Sequence, residues 1–519
     1  VSIALVEKKM QIFFREELVN RRELLGHCLT WGAFAALQKT EVLNAASLPY
    51  WTGMFHNGKE FSNQDLEILE GQLPQGFRGI LYRNGPALFD RGTEKVAHHW
   101  DGDGAILKVD FSDHTPKASY RFVRTRWFLE EEKKKTLMFP GIKTRIKGPP
   151  WANSILNFKN PANTSVLPLK NSLLALSEAG RPYSLNKSDL KTLGELHSFR
   201  EFQSVIAHPK VCHLTGTGLT IGIRPEDNSE SSFRVIEFNT STGQLIREQK
   251  FTSPHRTPLI HDFIVSENYI VLFISPLRMN MSKAMSGLWS LMDCLSWHEA
   301  LGTEVMVIER HSLREQARFE IPSTYLFHFT GVKEVHNELR FAGTSYETYN
   351  AGSNIQYSAL LRGELEISKR ELPVLKNFTI YLDERRIHEE RLLDHWGEFP
   401  MVHHDEWTSM KGDFAFCRNV PGLDESFVLT RIARVSLEKG LHSELILPQG
   451  MYAHESTLLH DANDPNKSWL LAPVHNGKKG TTEIWVMDWD SLASGPRCRM
   501  LLPHPIPLSL HGTWEPLTH

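Results

Sequence analysis

From about Glu70 onward, apolar residues gather in runs of four to eight, separated by Gly, Pro, Asn and Asp. Gly79-Ile80-Leu81-Tyr82-Arg83 leads into the turn Asn84-Gly85-Pro86, and Ala105-Ile106-Leu107-Lys108-Val109-Asp110-Phe111 follows. Leu173–Glu178, Gly218–Ile223, Glu304–Ile308, Phe414–Phe416, Trp469–Ala472 and Glu483–Met487 repeat the theme. Short β-branched and aromatic runs bounded by turn residues predict strands. At roughly 40–50 residues per blade, their extent suits a β-propeller of six to eight blades. No WD or kelch signature occurs, so the repeat is one of structure and not of sequence.

Two stretches break this texture. Between residues 5 and 45, Ile12, Phe13, Leu18, Leu24, Leu25 and Leu29 recur among charges, which predicts helix. We read residues 1–55 as an N-terminal helical arm and 56–519 as the main β-domain. Farther on, Met281, Met285, Leu288, Met292 and Leu295 follow steps of three and four after Pro276-Leu277-Arg278-Met279-Asn280. This predicts a helix over Met281–Trp297. It either covers the core or, with Trp289 and Leu291, forms an apolar patch that dips into a membrane surface. The segment is too broken to span a bilayer, and so is the apolar run Cys28–Leu37.

Composition narrows the picture further. The 519 residues are 41% hydrophobic, enough for a large core, and the net charge of -3 offers no electrostatic footprint for nucleic acid. Cys28, Cys212, Cys294, Cys417 and Cys498 are odd in number and form no CxxC pair. That argues for a reducing compartment, read as the cytoplasm, and against a disulfide framework or a cysteine zinc site. Glu7, Glu16, Glu17 and Glu23 disfavour an acid-poor transit peptide. The chain opens on Val1, and Met10 is a candidate start.

Among 25 histidines, four share a context. His208 (in Ile206-Ala207-His208-Pro209), His261 (in Leu259-Ile260-His261-Asp262-Phe263), His328 (in Leu326-Phe327-His328-Phe329) and His511 (in Leu510-His511-Gly512-Thr513) each adjoin an apolar strand-like run and a bend. Ends of strands from different blades point at a common axis, where four imidazoles would bind a divalent transition metal. An all-nitrogen site with open positions suits Fe(II) activating O₂. Zinc and copper share the ligand type. Ligating imidazoles need an acceptor on the second nitrogen. Glu178, Glu398 and Glu455, in apolar or glycine-rich settings, are candidates, although surface glutamates on strands are common.

These pieces also carry a resemblance. Leu81-Tyr82-Arg83-Asn84-Gly85-Pro86, Trp100-Asp101-Gly102-Asp103-Gly104, Asn163-Thr164, Glu178-Ala179-Gly180-Arg181-Pro182-Tyr183, Ala207-His208-Pro209-Lys210, His261-Asp262-Phe263, Glu398-Phe399-Pro400 and His511-Gly512-Thr513-Trp514 occur in this order. Over about residues 60–519 the chain resembles the carotenoid cleavage dioxygenase family, of the microbial or plant-like apocarotenoid oxygenase type. The resemblance implies a seven-bladed propeller with helical loops capping the active-site face. It implies an Fe(II) centre on His208, His261, His328 and His511, with Glu178, Glu398 and Glu455 as hydrogen-bond partners. It implies a membrane-dipping patch at about Pro276–Trp297, and oxidative cleavage of a conjugated C=C bond by O₂. The substrate would be an apolar polyene in a tunnel to which Trp100, Trp151 and Phe327 are assigned.

The sequence departs from the family pattern in places. Thr330-Gly331 replaces the usual Asn-Ala after His328, and Ser456 replaces a proline after Glu455. The Pro-Asp-Pro-Cys-Lys run of the animal retinoid branch is missing near Pro161-Ala162, which argues against a retinoid isomerohydrolase. His98-His99 are read as building the turn before Trp100-Asp101-Gly102, with lining of the pocket as the alternative. His403-His404-Asp405-Glu406 is read as a surface loop, because adjacent side chains on an extended segment diverge. Two rival functions stand: stilbenoid cleavage by the same iron site, and a non-enzymatic propeller that binds partners or lipids.

Overall fold

The computed structural model describes residues 48–113, 115–212, 215–349, 356–364, 372–420 and 428–517. Most of the expected helical arm lies outside the described residues. At its far end, Tyr50–Phe55 is a 3₁₀ turn whose Trp51, Met54 and Phe55 are buried with Phe89, Tyr357 and Tyr452.

Seven antiparallel sheets of four to six strands form a β-propeller. Taken blade by blade around the ring, the strand at one end of each sheet is Gly512–Pro516, Ser165–Pro168, Ser204–Val205, Ile264–Val265, Tyr325–Phe329, Gly397–Met401 and Met451–Ala453. These are the inner strands of blades one to seven. The ring is closed twice by the chain's own ends. Gly512–Pro516 pairs with Gly79–Leu88 in the first blade, and Glu67–Gly71 pairs with Pro496–Leu501 in the last.

Neighbouring blades bury each other's faces, which explains the sequence texture. Ser468–Asn476, in the middle of blade seven, is buried at every position. A strand covered on both faces reads as a continuous apolar run. Arg386–Arg391, an outer strand, is exposed at five of six positions and is correspondingly charged. The cores lie between blades: Leu219, Ile221, Val235, Leu272 and Met306 join the third to the fourth, and Val271, Val305, Phe329 and Phe341 join the fourth to the fifth.

The helix expected over Met281–Trp297 is much shorter. Asn280 caps a helix over Met281–Ser286, its side chain accepting from the Lys283 N–H at 3.0 Å. Gly287 ends it at φ +67°, where a Cβ would meet the Pro150 carbonyl oxygen. A 3₁₀ turn, Met292–Cys294, and a hairpin of Leu277–Met279 with Leu295–Trp297 complete the segment. The periodicity was genuine for about two turns, and glycine then ended it.

Candidate metal centre

The inner strands carry the four histidines to one point. His208, His261, His328 and His511 each offer a ring nitrogen, and these nitrogens all lie within 4.8 Å of one another. They come from the third, fourth, fifth and first blades. The other three blades supply Glu178, Glu398 and Glu455, so each blade contributes one residue.

Local backbone irregularities aim these side chains. Between Leu326 and Phe329 the ladder to Glu338–Tyr346 slips by one residue. Such a bulge re-aims side chains that strict alternation would send to opposite faces. The His328 N–H, released from the ladder, donates to Thr344 Oγ1 at 3.0 Å. A second slip separates Glu398 from Met401, with Phe399 at φ +64°. Left-handed backbone at a bulky residue is costly and persists where surrounding structure enforces it.

Each carboxylate holds one imidazole. Glu178 accepts from His261 Nδ1. Glu398 accepts from His328 Nδ1 at 2.7 Å, and Glu455 from His511 Nδ1 at 2.8 Å. A carboxylate on Nδ1–H leaves the lone pair on Nε2. The Nε2 atoms of His261 and His328 face each other at 3.1 Å. Two lone pairs at that distance repel unless a cation lies between them. Imidazole nitrogens each about 2.1 Å from one ion, at right angles, would be about 3.0 Å apart. His208 Nε2 is buried with no hydrogen-bond partner. Burial first, then the neighbouring imidazoles, hold His208 and His328 well below the usual histidine pKa, which favours the neutral imidazole a metal ion would need. The four residues therefore fit a divalent metal ion.

Residues around the centre complete the electrostatics. Burial raises Glu398 to about 7, opposed by the Tyr346 hydroxyl, which donates to Glu398 Oε1 at 2.7 Å. Glu455 also accepts from the Gly512 N–H at 2.7 Å and faces the fully buried Arg83 guanidinium at 3.7 Å. Ser456 therefore does not displace Glu455, because His511, Gly512 and Arg83 fix the carboxylate without a proline. Arg83 and Tyr346 had no sequence signal for these roles. Thr330, in place of the usual Asn, closes its strand end by bonding Gly331 O and Ala342.

An apolar cavity of about 380 Å³ opens beside the histidines, with Leu259, Trp100, Tyr325, Phe327, Trp396 and Phe399 on its wall. Phe327 stacks on His261 with centroids 3.7 Å apart and planes 6° from parallel, and Trp100 lies parallel to Phe327 at 6.1 Å. Trp151 is not on the cavity wall: it is 70% exposed and belongs to the outer surface. His98 builds its turn as expected, its Nδ1 accepting from the Trp100 N–H. His99 is buried against Phe55 and Phe89 on the cavity wall, and burial lowers it to about 3. The 403–406 segment is no surface loop. His403 and Glu406 are both 6% exposed, and His403 stacks on His460 at 3.8 Å. The loop folds back onto blades five and seven, at Val332 and Leu458, which alternation along an extended chain does not anticipate.

The family model described as RPE65, retinal pigment epithelial membrane protein, matches residues 54–516. The chain belongs to this family. The carotenoid oxygenase resemblance read from the sequence is thereby established. A curated relative from Synechocystis sp., apocarotenoid-15,15'-oxygenase, is 25% identical over 86% of this chain and 92% of its own length. Resveratrol cleavage oxygenase 1 of Chaetomium globosum is 28% identical over 43% of this chain and 38% of its own. The structure of a cobalt-substituted Synechocystis apocarotenoid oxygenase superposes with a TM-score of 0.81 at 23% identity, covering 90% of this chain and 98% of that one. That structure thus shares its fold with this chain.

Proposed function

We propose that the protein is an Fe(II)-dependent oxygenase that cleaves a conjugated C=C bond of a carotenoid or apocarotenoid with O₂, releasing two carbonyl products. The observation that carries this reading is the set of four convergent imidazoles, three oriented by carboxylates, at the wall of an apolar cavity. His208, His261, His328 and His511 would hold the iron, which supplies O₂ activation and the redox chemistry of cleavage. Glu178, Glu398 and Glu455 fix three rings by holding their Nδ1 protons. Phe327 locks the His261 ring by stacking and, with Trp100, offers flat surface to a polyene. Such a substrate is positioned by dispersion and shape, since it has few hydrogen-bonding groups.

A second reading, cleavage of a hydroxystilbene, is favoured by the Chaetomium relative and by Tyr325 and Tyr349 on the cavity wall. Incubating iron-loaded protein with an apocarotenal and with a hydroxystilbene, then identifying products by mass spectrometry, separates the two. Two carbonyl fragments from the apocarotenal are expected. Turnover of the stilbene alone removes the carotenoid reading.

The same proposal gives the Pro276–Trp297 segment its role. Met281, Met285, Leu288 and Trp289 are 42–57% exposed, and the packed turns beside them expose Trp151 and Leu156. Met279, Leu291 and Leu295 of the same segment line the cavity. A polyene leaving a bilayer there would pass directly into the site. Among the described residues no helix is long and apolar enough to cross a membrane. Leu288→Asp with Trp289→Ser is expected to reduce co-flotation with phosphatidylcholine vesicles at least several-fold. Unchanged flotation would remove this patch as the contact.

A further inference from the structure

We infer that Asp262 and Lys210 form a positioning clamp that sets the spacing of three of the four histidines. The inference rests on the metal-centre reading above. Asp262 follows His261 directly, on the fourth blade. Its Oδ1 takes the Lys210 ammonium at 2.7 Å and its own Phe263 N–H at 2.8 Å. Its Oδ2 takes the Phe329 N–H at 3.1 Å. Lys210 lies two residues after His208 on the third blade, and Phe329 directly follows His328 on the fifth. One carboxylate therefore bonds three successive blades, each within two residues of a histidine.

The clamp is enclosed. Asp262 is 4% and Lys210 6% exposed. The Lys210 ammonium sits 4.1 Å from the centre of the Trp407 ring. Trp407 belongs to the loop from blade six that reaches the Val332 carbonyl through the Met410 N–H and the Leu458 backbone through His403. A buried ion pair is a weak source of net stability but a strong source of fixed geometry, because either charge left alone is heavily penalised. At this centre, geometry is what the pair has to fix. The Lys210 and Asp262 side chains are not ligands. Each acts through the histidine beside it, as hydrogen-bonded outer residues do at metal sites.

The test compares parent, Lys210→Met, Lys210→Arg, Asp262→Asn and the Lys210→Met/Asp262→Asn double variant. Each is loaded anaerobically with Fe(II). Iron affinity, the electron paramagnetic resonance line shape of the nitrosyl complex, and far-UV circular dichroism are then measured. Lys210→Met and Asp262→Asn are expected to keep the propeller's spectrum, to lose about ten- to a hundredfold in iron affinity, and to give a broadened nitrosyl signal. Lys210→Arg is expected to recover most of the affinity. The double variant removes both charges together and keeps the fold tested should a single variant aggregate. Its affinity is expected to be as low as either single's. Parent-like affinity and line shape in the folded double variant would overturn the clamp while leaving the metal centre intact. A parent protein that takes up no iron would overturn both.

Discussion

His328→Ala is expected to leave the propeller folded and to abolish both iron retention and polyene cleavage. The loss should exceed the roughly hundredfold cost typical of removing an outer hydrogen-bond partner. His328 sits between two features that give it no other purpose. Its Nδ1 is held by Glu398, and its Nε2 faces His261 Nε2 at 3.1 Å. Removing the ring relieves lone-pair crowding between His328 and His261, so stability of the metal-free protein should not fall as it does for an ordinary buried truncation. Iron content after anaerobic loading, product formation and thermal midpoint with and without metal check this together. A His328→Ala protein that retains iron and turnover near the parent's would contradict the assignment.

Glu455→Ala is expected to fail differently, by destabilising the protein. Glu455 is 1% exposed, and it is the carboxylate paired with the fully buried Arg83. Arg83 also bonds Ser509 Oγ at 2.9 Å and the Leu510 carbonyl at 3.0 Å, so it cannot leave for solvent. Removing one partner of a buried ion pair costs about 3–5 kcal/mol, because the remaining charge is left uncompensated. The freed Gly512 N–H adds to that penalty. Glu178 is the control: its side chain is 45% exposed to the cavity, so Glu178→Ala should change stability little while loosening His261. Urea midpoints of the metal-free proteins distinguish the two. Equal midpoints for Glu455→Ala and Glu178→Ala would contradict the structural role given to the Glu455–Arg83 pair.

These two glutamates illustrate what was legible in the sequence. The strand texture was readable because blades cover one another, so middle strands carry unbroken apolar runs. The histidines were readable because each ends or adjoins such a run. Their convergence, however, depends on inner edges that sequence spacing alone does not place. Pairing was not readable at all. Nothing near Glu455 announces Arg83, and nothing near Glu398 announces Tyr346, since both partners arrive from distant strands. Asp262 and Lys210 were visible as motif neighbours of His261 and His208, yet their bond to each other required the third and fourth blades to be in place. The Met281–Trp297 reading erred at Gly287, a local stop signal that the apolar spacing outweighed, and the backbone at Pro150 packs directly against it. His403 was misread for a different reason: its loop is buried by two other blades.

The most direct test of the central claim is X-ray absorption spectroscopy at the iron edge on the Fe(II)-loaded protein. Four imidazole nitrogens at about 2.1 Å are expected, a metal–nitrogen distance of the kind histidine sites show, with any further ligands being light oxygen donors. A spectrum fitted by two or fewer imidazoles, or by sulfur, would contradict a centre built from His208, His261, His328 and His511.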